Sequence, residues 1–346
     1  MIFVADLPFS TDSSSSLSSS SQGSDTLIAL MEHPFLLSAA QSFKCMEERK
    51  VSASDERSTH CKYIYIFQGE YATVDPARVD YVGTDEATTC VGLVIRNRRN
   101  GMTSVAHMDS PNIVEIGLSQ MLSLVVDHDL DPDLDVHLVG GFDDVSPNYA
   151  NGSTVSNNYT DLDGYSLPLC TKLVDTLQRR QEKFHIQTLY VLGHNTKRDS
   201  QGNGYPIFHG LLIETATGFL KPASFDRTSR CPDEIVRRIR VTSSYEDSSW
   251  DGKLLGTYET ETDRFVIAPC HWTSRQLRIV MTLQHLSEVE ILRKCSSSPS
   301  AEGPDFVENQ KRRWNYLIKH PDWRETFPAN QPRIFERTAD GGWIKC

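Results

Sequence analysis

Long apolar runs and an excess of basic residues are both missing from this 346-residue chain. No segment approaches the roughly 18 consecutive apolar residues that mark a membrane-spanning helix. The opening MIFVADLPFS has no Lys or Arg ahead of its short apolar stretch, unlike a secretory signal. The 35 Lys and Arg are outnumbered by 46 Asp and Glu, giving a net charge of -11, whereas nucleic-acid-binding surfaces are basic. We therefore expect a folded protein of the cytosol or the nucleus, with no nucleic-acid or membrane partner.

Paired cysteines and the common nucleotide-binding motifs are missing as well. The eight cysteines are spread singly, with no C-x-x-C pair and no zinc-finger spacing of Cys and His, so we predict reduced thiols and no metal. A phosphate-cradling glycine loop and a G-x-S-x-G turn are likewise absent. These absences argue against phosphoryl transfer and hydride transfer.

A serine-rich segment lies near the start of the chain. Residues 10–24 are mostly Ser and offer little to bury, so we predict a disordered tail over residues 1–26. The remaining residues, 27–346, have the apolar content of a single folded domain. Within that domain, residues 295–304 (CSSSPSAEGP) are predicted to form an internal linker.

The pattern after the tail predicts strands and helices in mixed order. Thr88–Ile95 and Met102–Met108 are rich in β-branched and apolar residues, and the Asn-Gly pair between them favours a hairpin. Apolar residues at helical spacing follow Pro111, while Leu277–Thr282 is predicted to be a strand. Such a mixture indicates an α+β fold in which mixed sheets are covered by helices.

Cys90 and His107 stand on the two strands of the predicted hairpin. A nucleophilic thiol needs a base within hydrogen-bond reach, because the thiolate is the attacking species. Both turn lengths that we consider place Cys90 and His107 on the same face of the sheet, and the longer turn sets them directly opposite each other. The two residues are therefore a candidate catalytic dyad. The alternative is a half-buried structural cysteine near an unrelated histidine.

Several sequence blocks resemble one enzyme family. GTDEATTC, SVAHMDS, VHLVGGF and SSSPSAEGPDFVEN, followed by KHP, occur in the order found in the eukaryotic protein N-terminal asparagine amidohydrolases. The likeness extends from about Tyr63 to the C-terminus, and the serine-rich start is nearer to a plant-type form. The resemblance implies a deamidase-like fold, a layered α-β-β sandwich of mixed and antiparallel sheets. It also implies deamidation of N-terminal asparagine to aspartate, feeding the N-degron pathway of ubiquitin-dependent degradation.

The resemblance also implies roles for particular residues. The family nucleophile is the cysteine that ends the ATTC block, here Cys90. The hairpin is similar to those of bacterial chemoreceptor glutamine deamidases and deamidating toxins, whose Cys-His-Thr triad falls on Cys90, His107 and Thr84. The implied chemistry is attack by the thiolate and a thioester intermediate, with no cofactor.

An enzyme that acts at a chain end needs a partner for the substrate's α-ammonium group. A carboxylate is suited to this because an unpaired charge in a closed site is costly, so we expect Asp85, Glu86 or Asp109 to bind it. The expected partners are proteins or peptides with a free N-terminal Asn, and we expect a monomer. Two alternatives stay open, a deamidase of internal Gln or Asn in a partner protein and a non-catalytic module that recognises N-terminal Asn. A cysteine peptidase is a weaker one.

Overall fold

The computed structural model describes residues 1–10, 19–53, 61–126, 131–145 and 164–346. The strands are β1 (Ile2–Val4), β2 (Leu7–Pro8), β3 (Arg49–Val51), β4 (Tyr63–Tyr65), β5 (Glu70–Val74), β6 (Tyr81–Thr84), β7 (Val91–Asn97), β8 (Thr103–Met108), β9 (Asp133–Phe142), β10 (Lys183–Leu192), β11 (Thr196–Arg198), β12 (Gly204–Pro206), β13 (Leu211–Glu214), β14 (Leu220–Phe225), β15 (Leu255–Gly256), β16 (Tyr258–Glu259), β17 (Arg264–Ile267), β18 (Arg333–Arg337) and β19 (Trp343–Lys345). The α-helices are α1 (Ser19–Met31), α2 (Pro34–Lys44), α3 (Val114–Val125), α4 (Ser166–Arg179), α5 (Glu234–Ser244), α6 (Ser274–Leu283), α7 (Glu288–Cys295), α8 (Phe306–Lys319) and α9 (Trp323–Thr326). The predicted α+β class is confirmed. Across the described ranges, no helix has both the length and the apolarity to cross a bilayer.

The largest sheet has eight strands in the order β15-β5-β8-β7-β9-β10-β1-β2. Its central strand β7 pairs antiparallel with both β8 and β9. A second sheet of five strands has the order β3-β14-β13-β6-β4. The ends of β6 and β7 carry the residues on which the candidate site depends.

Strand β7 separates two parts of the core. Its residues Leu93 and Ile95 pack in a cluster with apolar side chains of α1, α3 and α4, whereas Val94 joins a cluster with Leu211 and Ile213 of the five-stranded sheet. Alternate residues of a strand point to opposite faces. One face of the large sheet is therefore covered by helices, and the opposite face shares its core with the second sheet.

The N-terminal segment differs from the predicted tail. β1 pairs in parallel with β10, where Ile2 lies opposite Phe184. Ile2 and Val4 are buried in the helix-covered core together with Leu27 of α1. The prediction of disorder over residues 1–26 is thus contradicted at Ile2–Val4, whose apolar side chains bury against the sheet, and from Ser19 onward, where α1 begins. Residues 11–18 lie outside the described ranges.

The predicted strand at Leu277–Thr282 is wrong, because these residues belong to helix α6. Thr273 caps the helix by accepting a hydrogen bond from the Gln276 amide, and the Gln276 side chain accepts one from the Thr273 amide. This reciprocal pair is a capping box, which satisfies two amides that a helix N-terminus leaves free. The alternating apolar residues of the segment suggested a strand, and the cap fixes a helix.

Candidate active site

A cavity of about 980 Å³ opens where the ends of β6 and β7 meet α5, α8 and the segment after α7. Five of the six residues selected from the sequence line it, and the sixth, Thr84, lies behind His107. The predicted linker at residues 295–304 also contributes to the wall. The residues that line the cavity include Gln68, Asp85, Glu86, Cys90, His107, Asp109, Arg230, Arg238, Thr242, Tyr245, Cys295, Glu302, Gln310 and Arg313.

The pairing of β7 with β8 sets the relation of Cys90 to His107. His107 lies opposite Gly92, so the direct opposition of Cys90 and His107 that the longer turn would give does not occur. Cys90 lies one residue before β7 and two residues before Gly92, the partner of His107. It is therefore a diagonal neighbour of His107 on the same face of the sheet, as predicted. The difference arises at the turn, where the Asn97 amide donates to the Met102 carbonyl at 2.9 Å and Gly101 adopts a φ of 75°.

Gly92 leaves room for the second sheet to approach His107. A Cβ atom at this position would lie 2.7 Å from Leu211 Cδ2 and 3.3 Å from Thr84 Cγ2. Leu211 and Thr84 are paired neighbours in the five-stranded sheet. The missing side chain opposite His107 therefore lets Thr84 reach the imidazole from the other sheet.

Thr84 fixes the tautomer of His107. The Thr84 hydroxyl donates to the Ile66 carbonyl at 2.7 Å, and its oxygen lies 2.8 Å from His107 Nδ1. Because a hydroxyl has one hydrogen and a carbonyl only accepts, the Thr84 oxygen must accept from Nδ1–H. The lone pair of His107 therefore sits on Nε2. This atom is buried and has no hydrogen-bond partner among the described residues.

Burial keeps both members of the dyad neutral. It lowers the pKa of His107 to about 4, against the opposing effect of Asp109. Burial, together with the nearby carboxylates of Asp109 and Glu302, raises the pKa of the Cys90 thiol well above its ordinary value. Cys90 is 9% exposed and His107 is 1% exposed. The pair is thus a thiol beside a free imidazole base rather than an ion pair.

The backbone at Cys90 is held by β9. The Gly141 amide donates to the Cys90 carbonyl at 2.7 Å. Gly140 has a φ of 123°, and a Cβ there would lie 2.5 Å from the same carbonyl, so glycine is needed for this close approach. Among the described residues, the Cys90 amide itself has no hydrogen-bond acceptor. Its N–H is therefore a donor that the described structure leaves free.

Two of the three carboxylates selected for the α-ammonium group are bound by arginines. Asp85 accepts from Arg230 at 3.0 Å, and Glu86 accepts from both terminal nitrogens of Arg238 at 2.9 Å. Arg230 also lies 2.7 Å from Glu86. Despite burial, Arg238 and Arg230 hold the pKa of Glu86 below its ordinary value, whereas burial raises the pKa of Asp85 to about 6. Both carboxylates are thus already paired with arginines of the protein.

Two other pocket carboxylates have only neutral partners among the described residues. Asp109 accepts from Gln68 at 3.2 Å and from the hydroxyl of Tyr245. Glu302 accepts from the hydroxyl of Ser296, and burial raises its pKa to about 7. Sequence reasoning missed Glu302 because it placed this residue in a linker. The available signal was its position within SSSPSAEGPDFVEN, one of the blocks that carries the family resemblance.

Neither a disulfide nor a metal cluster accompanies the dyad. All eight cysteines are free thiols, which confirms the prediction of unpaired cysteines. In the ranges that the structure describes, no three His, Cys, Asp or Glu side chains are grouped so that they could hold a metal ion. The groups placed at the pocket for chemistry are therefore a thiol, a neutral base and unpaired carboxylates.

Comparison with known proteins identifies the family. The family described as Protein N-terminal asparagine amidohydrolase matches residues 53–345. The Arabidopsis thaliana protein N-terminal asparagine amidohydrolase is 62% identical over 350 residues, covering 100% of both chains. The Homo sapiens protein of the same name is 29% identical and covers 82% of this chain and 83% of its own, and that of Sus scrofa is 30% identical with 81% and 82% covered. The resemblance to a plant-type member is confirmed, and the chain belongs to the protein N-terminal asparagine amidohydrolase family and is an amidohydrolase.

Proposed function

We propose that this protein hydrolyses the side-chain carboxamide of an N-terminal asparagine in proteins and peptides, with Cys90 as nucleophile and His107 as base. The observation that carries the mechanism is the bond from His107 Nδ1–H to Thr84, which leaves an unpartnered Nε2 in the pocket that contains Cys90. A base in this state accepts a thiol proton without first losing one of its own.

The proposed reaction has two halves. In the first, the Cys90 thiol gives its proton to His107 Nε2, and the thiolate attacks the carboxamide carbon. The imidazolium then returns the proton to the leaving nitrogen, so that ammonia departs and a thioester remains. In the second half, His107 takes a proton from water as the water attacks the thioester, and that proton returns to the Cys90 sulfur. The products are N-terminal aspartate and the free enzyme.

The backbone at the nucleophile supplies an oxyanion donor in this mechanism. The attacked carbonyl oxygen becomes negative when the Cys90 sulfur bonds to its carbon, and donors aimed at that position lower the barrier. We assign this role to the Cys90 amide, because it has no acceptor among the described residues. The bond from Gly141 to the Cys90 carbonyl, 2.7 Å long, fixes the neighbouring peptide unit.

We assign the α-ammonium group of the substrate to Glu302 and Asp109. Both act on the pKa of the Cys90 thiol, which places their charges near the reacting sulfur. Neither forms a salt bridge with a cation of the described chain, in contrast to Asp85 and Glu86. A bound ammonium group would satisfy these carboxylates, and a blocked N-terminus would leave them unpaired.

The proposed function predicts turnover of a free N-terminal asparagine only. Purified protein should convert a peptide that begins with Asn, and it should leave its acetylated form and a peptide with an internal Asn unchanged. Mass spectrometry would detect the exchange of the amide NH₂ for OH, and an ammonia assay would confirm the stoichiometry. Conversion of the acetylated or internal peptide at the same rate would favour the alternative, a deamidase of internal residues. Binding without conversion would favour a recognition module.

The pH dependence tests the assignment of Glu302. We expect kcat/KM to fall below about pH 7, because the pKa of Glu302 is raised to about 7 and only its carboxylate attracts an ammonium group. It should also fall above about pH 8, where the α-amino group of the free peptide loses its proton. The titration of His107 does not change kcat/KM in this pH range, since its pKa is about 4. Initial rates at low peptide concentration across this range give the curve.

Glu302→Gln should remove the fall in kcat/KM below about pH 7, which we call the acid limb. It should also raise KM about tenfold, because the ion pair between residue 302 and the substrate's ammonium group is lost. Asp109→Asn is the matched control, since it removes the other unpaired carboxylate and should raise KM while the limb stays in place. A limb that persists at pH 7 in Glu302→Gln would show that another group controls binding.

We further propose that the aspartate product feeds the N-degron pathway, in the cytosol or the nucleus. This proposal is supported by the family name and by the pocket. In the pocket, the carboxylates of Glu302 and Asp109 have no salt-bridge partner among the described residues and are suited to bind the ammonium group of a free N-terminus. The helix-covered sheet packed on a second sheet supports the layered α-β-β, deamidase-like arrangement as part of the same proposal.

A further inference from the structure

An arginine with no anionic partner lies in the wall of the pocket. Arg313 of α8 donates to Thr242 Oγ1 at 2.5 Å and to Gln310 Oε1 at 2.6 Å. Both acceptors are neutral, and no carboxylate of the described residues forms a salt bridge with Arg313. A guanidinium has more N–H donors than these two bonds use. Donors therefore remain for a ligand.

The other arginines that line the described pocket differ in this respect. Arg230 contacts the carboxylates of Asp85 and Glu86, and Arg238 contacts Glu86 and Glu234. Arg313 is instead half-buried without such compensation, and desolvation lowers its pKa to about 10. A carboxylate entering the pocket would offset this desolvation by forming charge-assisted hydrogen bonds.

The position of Arg313 indicates which part of a substrate it meets. Arg313 lines the same pocket as Cys90 and Tyr245, and Tyr245 donates to Asp109. An extended peptide advances about 3.3 Å per residue, so a chain with its first residue at Cys90 would place its second or third residue elsewhere along this pocket, where Arg313 lies.

We propose that Arg313 forms a subsite for a carboxylate carried by the second or third residue of the substrate, so that acidic residues there increase the rate of deamidation. The inference rests on the proposed function, because that function places the N-terminal asparagine at Cys90. The subsite would give preference among N-terminal Asn chains and is distinct from the carboxylates that bind the α-ammonium group.

Paired peptides that differ only as Glu or Gln test this subsite, with one pair varied at the second residue and one at the third. We expect kcat/KM to be about tenfold higher for Glu than for Gln in at least one pair, as a charge-assisted hydrogen bond would give. Arg313→Met should abolish the preference, and Arg313→Lys should retain part of it. Lys311→Met is the matched control, because Lys311 lies on the same helix in an exposed pair with Glu288. It should keep the full preference.

Equal rates for Glu and Gln in both pairs would overturn the subsite, as would a preference that survives in Arg313→Met. Binding of the same labelled peptides to Cys90→Ala, followed by fluorescence anisotropy, separates this inference from the proposed function. If no peptide is deamidated, the proposed function fails, and the anisotropy then decides the subsite alone. A Glu preference in binding that depends on Arg313 supports it, and its absence overturns it. Thermal unfolding of each variant verifies that the fold is kept.

Discussion

Replacing Cys90 with alanine should abolish deamidation of N-terminal asparagine peptides, lowering kcat by about 10⁴-fold or more. The reason is that no other described thiol of the pocket combines with a base as Cys90 does with His107. Binding of the peptide should remain, since the proposed ammonium-binding carboxylates, Glu302 and Asp109, are unchanged. Mass spectrometry of the peptide measures turnover, and anisotropy measures binding.

Cys295→Ala provides the matched control for this substitution. Cys295 is a second free thiol that lines the same pocket, and its removal should leave turnover near the wild-type value. Acid quenching of the wild-type reaction should also trap a covalent adduct at Cys90, whose mass equals the peptide less ammonia. If Cys90→Ala still converts the peptide, the covalent mechanism is wrong. If wild type and variant both bind without conversion, the protein is a recognition module.

The dyad was predictable because strand geometry restricts it strongly. Every pairing in which the numbers of two opposite residues add up to an odd sum places Cys90 and His107 on one face of the sheet. The prediction that they lie close together therefore did not require the exact turn. The register itself depends on how the chain turns from Asn97 to Met102, where backbone bonds and the φ of Gly101 decide. Those interactions are local but have several near-equal solutions, and the observed register differs from both turn lengths considered from the sequence.

The surroundings of the dyad depend on contacts between distant segments, and the sequence did not predict them. Arg230 and Arg238 lie about 145 and 152 residues from the carboxylates that they bind, and no local pattern specifies such pairs. The segment containing Glu302 is rich in Ser, which favours the interpretation as a linker. In the structure it contacts the loop before β7, because the hydroxyls of Thr89 and Ser297 lie 3.0 Å apart.

Thr84 is identified by the family resemblance, and the structure shows which atoms its hydroxyl contacts. Its position, three residues before the ATTC block and six before Cys90, carries no chemical signal of its own, and only the likeness to other deamidases points to it. The structure places its hydroxyl between the Ile66 carbonyl and His107 Nδ1. In the proposed mechanism Thr84 orients the base, because its hydroxyl accepts from His107 Nδ1–H and leaves Nε2 free. We therefore describe Thr84 as a positioning residue.

Thr84→Val should lower kcat by about 10²-fold with little change in KM. Valine keeps the shape of threonine but lacks the oxygen that accepts from Nδ1–H, so the imidazole no longer favours the tautomer with a free Nε2. Thr84→Ser should restore most of the activity, because it returns the oxygen. Steady-state kinetics on an N-terminal Asn peptide measures both variants, and thermal unfolding separates loss of activity from loss of fold.

A purely structural role for Thr84 would give a different result in two measurements. Nitrogen chemical shifts of the His107 ring report the tautomer directly, and Thr84→Val should shift them towards a mixture of Nδ1–H and Nε2–H forms. In a His107→Asn background, Thr84→Val should have almost no further effect on kcat, since the two residues act as one unit. Additive losses with an unchanged tautomer would mean that Thr84 supports only the packing between the two sheets, which close on each other at Gly92.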